Sequence, residues 1–206
     1  MAGSRVQTIL AIAFVLALGV GTRAAADEVQ APQAAVDRAQ RQVLAILADP
    51  SLSRAEQRGQ IEAIAYENFD FEVMSKLVLS RDWKRFDSDQ RVRFIAEFRR
   101  ELSRNYGSRL DRYQDEQIET VGERPEQRGD VTVLSKVVGG QFDGVEINYR
   151  LRRRDDRWLG IDVVIEGVSL VSSYRSQFRD VVSKGGPEEL LRRLADKNAS
   201  ADDAES

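Results

Sequence analysis

The chain has 206 residues, with 31 Lys plus Arg, 34 Asp plus Glu, no histidine and no cysteine. That composition excludes a thiolate nucleophile, a disulfide, a Ser-His-Asp triad and a zinc site built on nitrogen or sulfur ligands. A net charge of −3 argues against general nucleic-acid binding, which needs a strongly basic face.

At the N-terminus a single cation, Arg5, precedes the apolar run Ile9–Val20, and Ala24-Ala25-Ala26 precedes the first acid, Asp27. These are the n-region, h-region and cleavage site of a secretory signal peptide, assigned to residues 1–26. The run is well short of the ~20 apolar residues needed to span a bilayer, so processing is expected rather than anchoring. The remainder carries a net charge of −5. Its length suits one domain over 27–196, with Asp27–Gln33 as a short flexible lead. Lys197–Ser206 (KNASADDAES) is small, polar and acidic, the composition of a disordered tail. No fixed-period repeat is present.

The first half of the domain reads as helix. Val36, Ala39, Val43, Ile46 and Leu47 recur at helical spacing and predict a helix over about 34–48. Ser53-Arg54-Ala55-Glu56 is a capping box that opens a second helix, with Ile61, Ile64 and Ala65 on its buried side. Asp70 can cap a short helix bearing Phe71, Met74, Leu77 and Val78. Asp87 or Ser88 can cap a long helix to about Leu110, with Phe94, Ile95, Phe98, Leu102 and Tyr106 as its apolar stripe.

After Tyr113 the period becomes two. Gln117–Gly122 is a weak strand and Asp130–Val138 a stronger one. Val145, Ile147, Tyr149 and Leu151 alternate with polar residues, and Trp158–Ile165 is apolar on nearly both faces. Arg154-Asp155-Asp156-Arg157 is a hairpin turn between the last two. Helix returns over about 169–184, with Leu170, Val171, Tyr174, Phe178, Val181 and Val182 as its stripe. Gly185-Gly186 stops it, and Pro187 starts a last helix that buries Leu190, Leu191 and Leu194. The expected fold class is α+β: a curved antiparallel sheet of about four strands packed against a set of helices.

Few residues invite catalysis. Asp162 lies inside an apolar strand, where a carboxylate either titrates abnormally or finds a partner, and Arg175 is a candidate partner. Asp162, Tyr174 and Arg175 are therefore expected to form a structural polar cluster that fixes the following helix on the sheet. No spacing supplies a glycosidase-type carboxylate pair, a calcium loop or a phosphate loop. No cofactor and no metal is called for. The bulky apolar inventory remains, and periodicity cannot separate a filled core from a hollow one.

Several segments together resemble a known family. They are Phe71-Glu72-Val73-Met74, Trp83, Asp87–Phe98 (DSDQRVRFIAEF), Leu102 and Tyr106. Val145–Leu151 (VEINYRL), Trp158-Leu159-Gly160-Ile161-Asp162-Val163 and Glu166–Phe178 (EGVSLVSSYRSQF) follow. In this order they resemble the MlaC, or toluene-tolerance, family of periplasmic phospholipid carriers over about 34–196. One departure is Leu79-Ser80-Arg81, where many members carry a glycine before the tryptophan segment.

The resemblance implies a periplasmic phospholipid carrier with an apolar cavity between sheet and helices, and no catalytic residues. Its implied partners are phospholipid, an inner-membrane ABC transporter complex with a substrate-binding ring, and an outer-membrane lipoprotein–porin complex. A monomer is expected. Candidate cavity liners are Phe94, Phe98, Tyr106, Val133, Ile147, Tyr149, Ile161, Val163, Val168, Leu170 and Phe178. Strand parity places Ile161 and Val163 on one face, and Trp158, Gly160 and Asp162 on the other. Three alternatives stay open: a carrier of hopanoid or other terpenoid lipid, an enzyme using Asp162 on a cone-shaped α+β fold, and a solid adaptor protein. The carrier reading is physically coherent. About 30 methylenes at ~0.8 kcal/mol each make the exposure of a two-chain lipid to water cost roughly 20–25 kcal/mol.

Overall fold

The structure, a computed structural model, describes residues 21–107 and 116–205, with side chains described for 32–105 and 116–200. Helices α1 (Gly21–Leu47), α2 (Arg54–Asn68), α3 (Phe71–Leu79) and α4 (Ser88–Gly107) come first. Strands β1 (Gln117–Pro125), β2 (Val131–Val138), β3 (Ile147–Arg154), β4 (Arg157–Ile165) and β5 (Val168–Ser169) follow, and α5 (Leu170–Glu205) ends the chain. The expected signal peptide and the end of the long helix near Leu110 fall largely or wholly outside the described residues. Among the described residues, no helix is long and apolar enough to cross a membrane.

Local chemistry sets the helix starts. Ser53 Oγ accepts from the Glu56 backbone N–H while Glu56 accepts from the Ser53 N–H, a complete capping box. Asp70 accepts from the Val73 N–H and caps α3. Asp87, not Ser88, caps α4: its Oδ1 accepts from the Gln90 N–H, and Gln90 Oε1 accepts from the Asp87 N–H. α5 breaks at Gly186 (φ 73°), beside Pro187, where the two glycines predict a stop. The predicted tail is a correction: α5 continues through Lys197–Glu205. Asn198 is fully buried and donates to the Glu97 carbonyl and carboxylate, and Lys197 pairs with Glu101 on α4. Tertiary partners outweigh the disorder-prone composition there.

The sheet is an open antiparallel meander in the order β1-β2-β3-β4-β5. It has one strand beyond the expected four, because Glu166-Gly167 turns the chain back onto β4. Two bodies of packing hold the molecule. The larger is helical: Met74, Val78, Phe86, Phe94, Phe98, Leu102, Val171, Tyr174, Phe178, Val182, Leu190, Leu191 and Leu194 are buried together. Phe94 and Phe98 stack at 5.6 Å, and Tyr174 and Phe178 meet Phe98 at 5.3 and 5.9 Å. The smaller body seats α1 on the sheet through Val36, Val133 and Leu151, flanked by Ala35, Tyr149 and Trp158.

Register overturns the simple parity of β4. Tyr149 pairs with Val163 and Leu151 with Gly160, so a bulge at Ile161 places Gly160 and Val163, three residues apart, on one face. Asp162, opposite Arg150, lies on the other face.

Two features carry predictions. Ser80 has φ 50° and ψ −118°, a conformation that favours glycine. Ser80→Gly is expected to stabilise the protein by about 1 kcal/mol, read as a higher thermal midpoint. The second is Asp130, 1% exposed, which accepts from Arg150 at 2.7 Å and from Arg152 at 2.7 and 2.9 Å. Burial pushes its carboxyl up, but the two guanidinium groups outweigh burial and hold it below its ordinary 3.8. A depressed folded-state pKa gives stability that is present above the unfolded value and is lost as pH falls toward the folded one. Urea melts are therefore expected to show a steeper loss from pH 5 to pH 3 in the native protein than in Asp130→Asn.

Candidate functional site

α1 and α2 lie over the sheet and leave a cavity of about 180 Å³ beneath them. α1 supplies Ala35, Val36, Ala39, Gln40 and Val43, and α2 supplies Ile61, Ile64, Ala65 and Asn68. Phe69, Ile118, Tyr149, Leu151, Trp158 and Gly160 complete the wall. The helices are tied together at their far ends, where Gln57 Nε2 donates to the Ile46, Leu47 and Asp49 carbonyls. Ala39 and Ala65 put little side-chain bulk into the facing stripes, and space remains there.

Gly160 shapes one end. An added Cβ there would sit 2.6 Å from Phe69 Cδ1 and Cε1, so only glycine lets the Phe69 ring lie against β4. The backbone holds the same junction, since the Asp70 N–H donates to the Gly160 carbonyl at 2.9 Å. Asp70 also accepts from Arg154 Nη1 at 2.9 Å, joining the α2–α3 corner to the β3–β4 hairpin.

Polar groups interrupt the apolar wall, among them those of Gln40, Asn68 and Tyr149. Asn68 Nδ2 is spent on the Ile64 carbonyl. The Tyr149 hydroxyl is driven above its ordinary range by burial, with the neighbouring Gln40 amide acting in the opposite direction. Gln40 is 8% exposed. A second concavity, about 340 Å³, follows the α5 bend and is rimmed by Asp180, Lys184, Glu189 and Arg193. There Glu189 accepts from Arg192 and Arg193, which hold its carboxyl down at about 2, as in a solvated ion-pair cluster.

The structure divides the predicted liners. Tyr149 lines the cavity, and Val133, Ile147 and Val163 share its sheet face. Phe94, Phe98 and Phe178 are instead consumed in the helical core. Ile161 is fully buried at the bulge, Leu170 is half-buried at the start of α5, and Val168 is 58% exposed. Tyr106 belongs to α4, but its side chain lies outside those described.

The polar cluster also separates. Asp162 holds α5 by accepting from the Val171 N–H at 3.0 Å and from Ser169 Oγ at 2.6 Å, not from Arg175. Arg175 donates to the Leu77 carbonyl, and the Tyr174 hydroxyl accepts from Asn105. A helix start offers a carboxylate ready N–H donors, and these capture Asp162 before a cation does. Its two oxygens are occupied on the face turned away from the cavity. Among the described residues, no cluster of three metal-ligating side chains occurs.

The sequence places Val36, Ala39, Val43, Ile61, Ile64 and Ala65 on the apolar stripes of two helices, and none of them was expected to line the cavity. The signal passed over is the alanine content of those two stripes.

Comparison with known proteins places this geometry. The fold matches a phospholipid-binding protein from Ralstonia solanacearum solved in complex with a phospholipid, with TM-score 0.74 and 27% identity. The match covers 82% of this chain and 97% of that one. The toluene tolerance protein ttg2D of Pseudomonas putida is 25% identical over 118 residues, 57% of this chain. The chain spans about half the length of that relative, 55%. The family model described as MlaC protein matches residues 37–196. The chain belongs to the MlaC family.

Proposed function

We propose that this protein is a periplasmic phospholipid carrier that shuttles lipid between the outer and inner membranes and so maintains outer-membrane lipid asymmetry. The observation that carries the reading is the apolar cavity under α1 and α2, in a fold matched over 82% of the chain by a protein solved with a phospholipid. At about 180 Å³ the cavity is smaller than the ~300–1,000 Å³ of ordinary ligand pockets. Taking up acyl chains therefore requires α1 and α2 to move off the sheet. The small α1–sheet contact of Val36, Val133 and Leu151 yields more easily than the aromatic helical core.

In this reading residues 1–26 are removed on export, and 27–205 work as one unit. Loading and unloading occur at an outer-membrane lipoprotein–porin complex and an inner-membrane ABC transporter complex. The protein provides shelter rather than covalent chemistry, and the occupied Asp162 accords with that.

The test is native mass spectrometry of the protein recovered from the periplasm, followed by solvent extraction. The expected result is a chain lacking 26 residues that carries phospholipid. Recovery of no lipid, together with no uptake from labelled phospholipid vesicles, would overturn the proposal. A terpenoid mass in place of phospholipid would change the ligand class.

A further inference from the structure

We infer that Gln40 is a polar subsite inside the cavity, donating its amide N–H to an oxygen acceptor of the bound lipid: an ester carbonyl or a chain hydroxyl. The inference rests on the carrier reading and adds to it a rule for which lipids are held. Four of the lining residues carry hydrogen-bonding groups, Gln40, Asn68, Tyr149 and Trp158. Asn68 has its amide hydrogens directed to its own helix, at 2.8 Å from the Ile64 carbonyl. Gln40 is different. It is more than nine-tenths buried, it lines the cavity, and its Nε2 finds no acceptor among the described residues.

The amide is close enough to the Tyr149 hydroxyl to act on it as a donor would, yet its Nε2 makes no full hydrogen bond. A buried amide donor without a partner is costly, and the great majority of such groups are satisfied. Leucine or methionine would fill the same place in a purely apolar wall at no such cost. An acceptor brought in with the lipid satisfies Gln40 Nε2 in the loaded state. The neighbouring Tyr149 hydroxyl can share that acceptor or accept in turn. The carrier thereby gains a preference that acyl chains alone, gripped by dispersion and burial, cannot provide.

The chemistry required of the lipid is an oxygen acceptor close to the chains. Ester-linked diacyl lipids present carbonyl oxygens there, and ether-linked dialkyl lipids of the same length do not. A hydroxylated chain is the other source of such an oxygen.

The test uses the full protein without its first 26 residues, stripped of lipid and loaded from vesicles of equimolar diacyl- and dialkyl-phosphatidylglycerol with matched chains. Native mass spectrometry reads the bound ratio. The expected result is about fivefold enrichment of the diacyl lipid by the native protein, the scale of one net hydrogen bond. In Gln40→Leu the ratio falls to near one. A second vesicle set replaces the diacyl lipid with a dialkyl lipid hydroxylated on one chain. Enrichment confined to the first set assigns the carbonyl, and enrichment in the second set the hydroxyl.

Equal binding of ester, ether and hydroxylated lipids by the native protein would overturn the inference while leaving the carrier intact. So would an undiminished preference in Gln40→Leu. Should that variant not fold, Gln40→Met and the native ratio decide in its place. Loading of no lipid from either vesicle set would overturn the carrier reading itself.

Discussion

Gly160→Val is expected to lower phospholipid loading to below about a tenth of the native level while the protein still folds. The side chain enters where even a Cβ stands 2.6 Å from the Phe69 ring. Phe69 is itself a wall of the cavity, so relief comes from turning its ring into the space that acyl chains would occupy. Overpacking of this kind costs about 1–3 kcal/mol of stability. The strand itself tolerates valine, since β-branched residues suit a pleated surface. Loading is measured by uptake from labelled vesicles, and folding by circular dichroism. A folded variant that loads as well as the native protein would show that the acyl chains lie elsewhere.

Phe98→Ala is expected to have the opposite profile. Phe98 is 1% exposed and meets Phe94, Tyr174 and Phe178 at centroid distances of 5.3 to 5.9 Å. Truncating a phenylalanine in such a setting costs about 3–5 kcal/mol, a large share of the stability of a domain this size. The loss appears as a lower urea midpoint with little change in slope. Loading per folded molecule is expected to stay near the native level, because no buried residue of the helical core lines the cavity, and Phe69 lies between the two. A variant of near-native stability that fails to take up lipid would return Phe98 to the cavity wall, where its position in the sequence first suggested it.

These two variants mark the line between what periodicity could and could not reveal. Each stripe of three-to-four spacing became a helix, and each run of alternation became a strand, because burial of one face is a local demand on the chain. Caps were legible for the same reason: Ser53 with Glu56, Asp70, and Asp87 with Gln90 act within one turn. The hidden bulge at Ile161 was not legible, since it follows from how β3 and β4 share register, and it reversed the parity on which the face assignment rested. The last ten residues show the same limit. Their composition resembles a loose tail, yet Asn198 and Lys197 find Glu97 and Glu101 about a hundred positions earlier.

The cavity residues divide along the same line. An aromatic stripe and an alanine-containing stripe have the same period but opposite consequences. Phe94, Phe98 and Phe178 are large enough to fill the space between helices, so they became core. Ala39 and Ala65 fill less of the space over the sheet, and α1 and α2 roof a void. By itself the sequence determined the α+β class, the order of the main elements and the helix starts, because each of these is written in spacing and local chemistry, and its ordered segments resembled the MlaC family. Only the tertiary structure decided which apolar stripes close on each other and which stay apart. That outcome depends on side-chain volumes summed across elements distant in the chain, and no single stretch of sequence contains the sum.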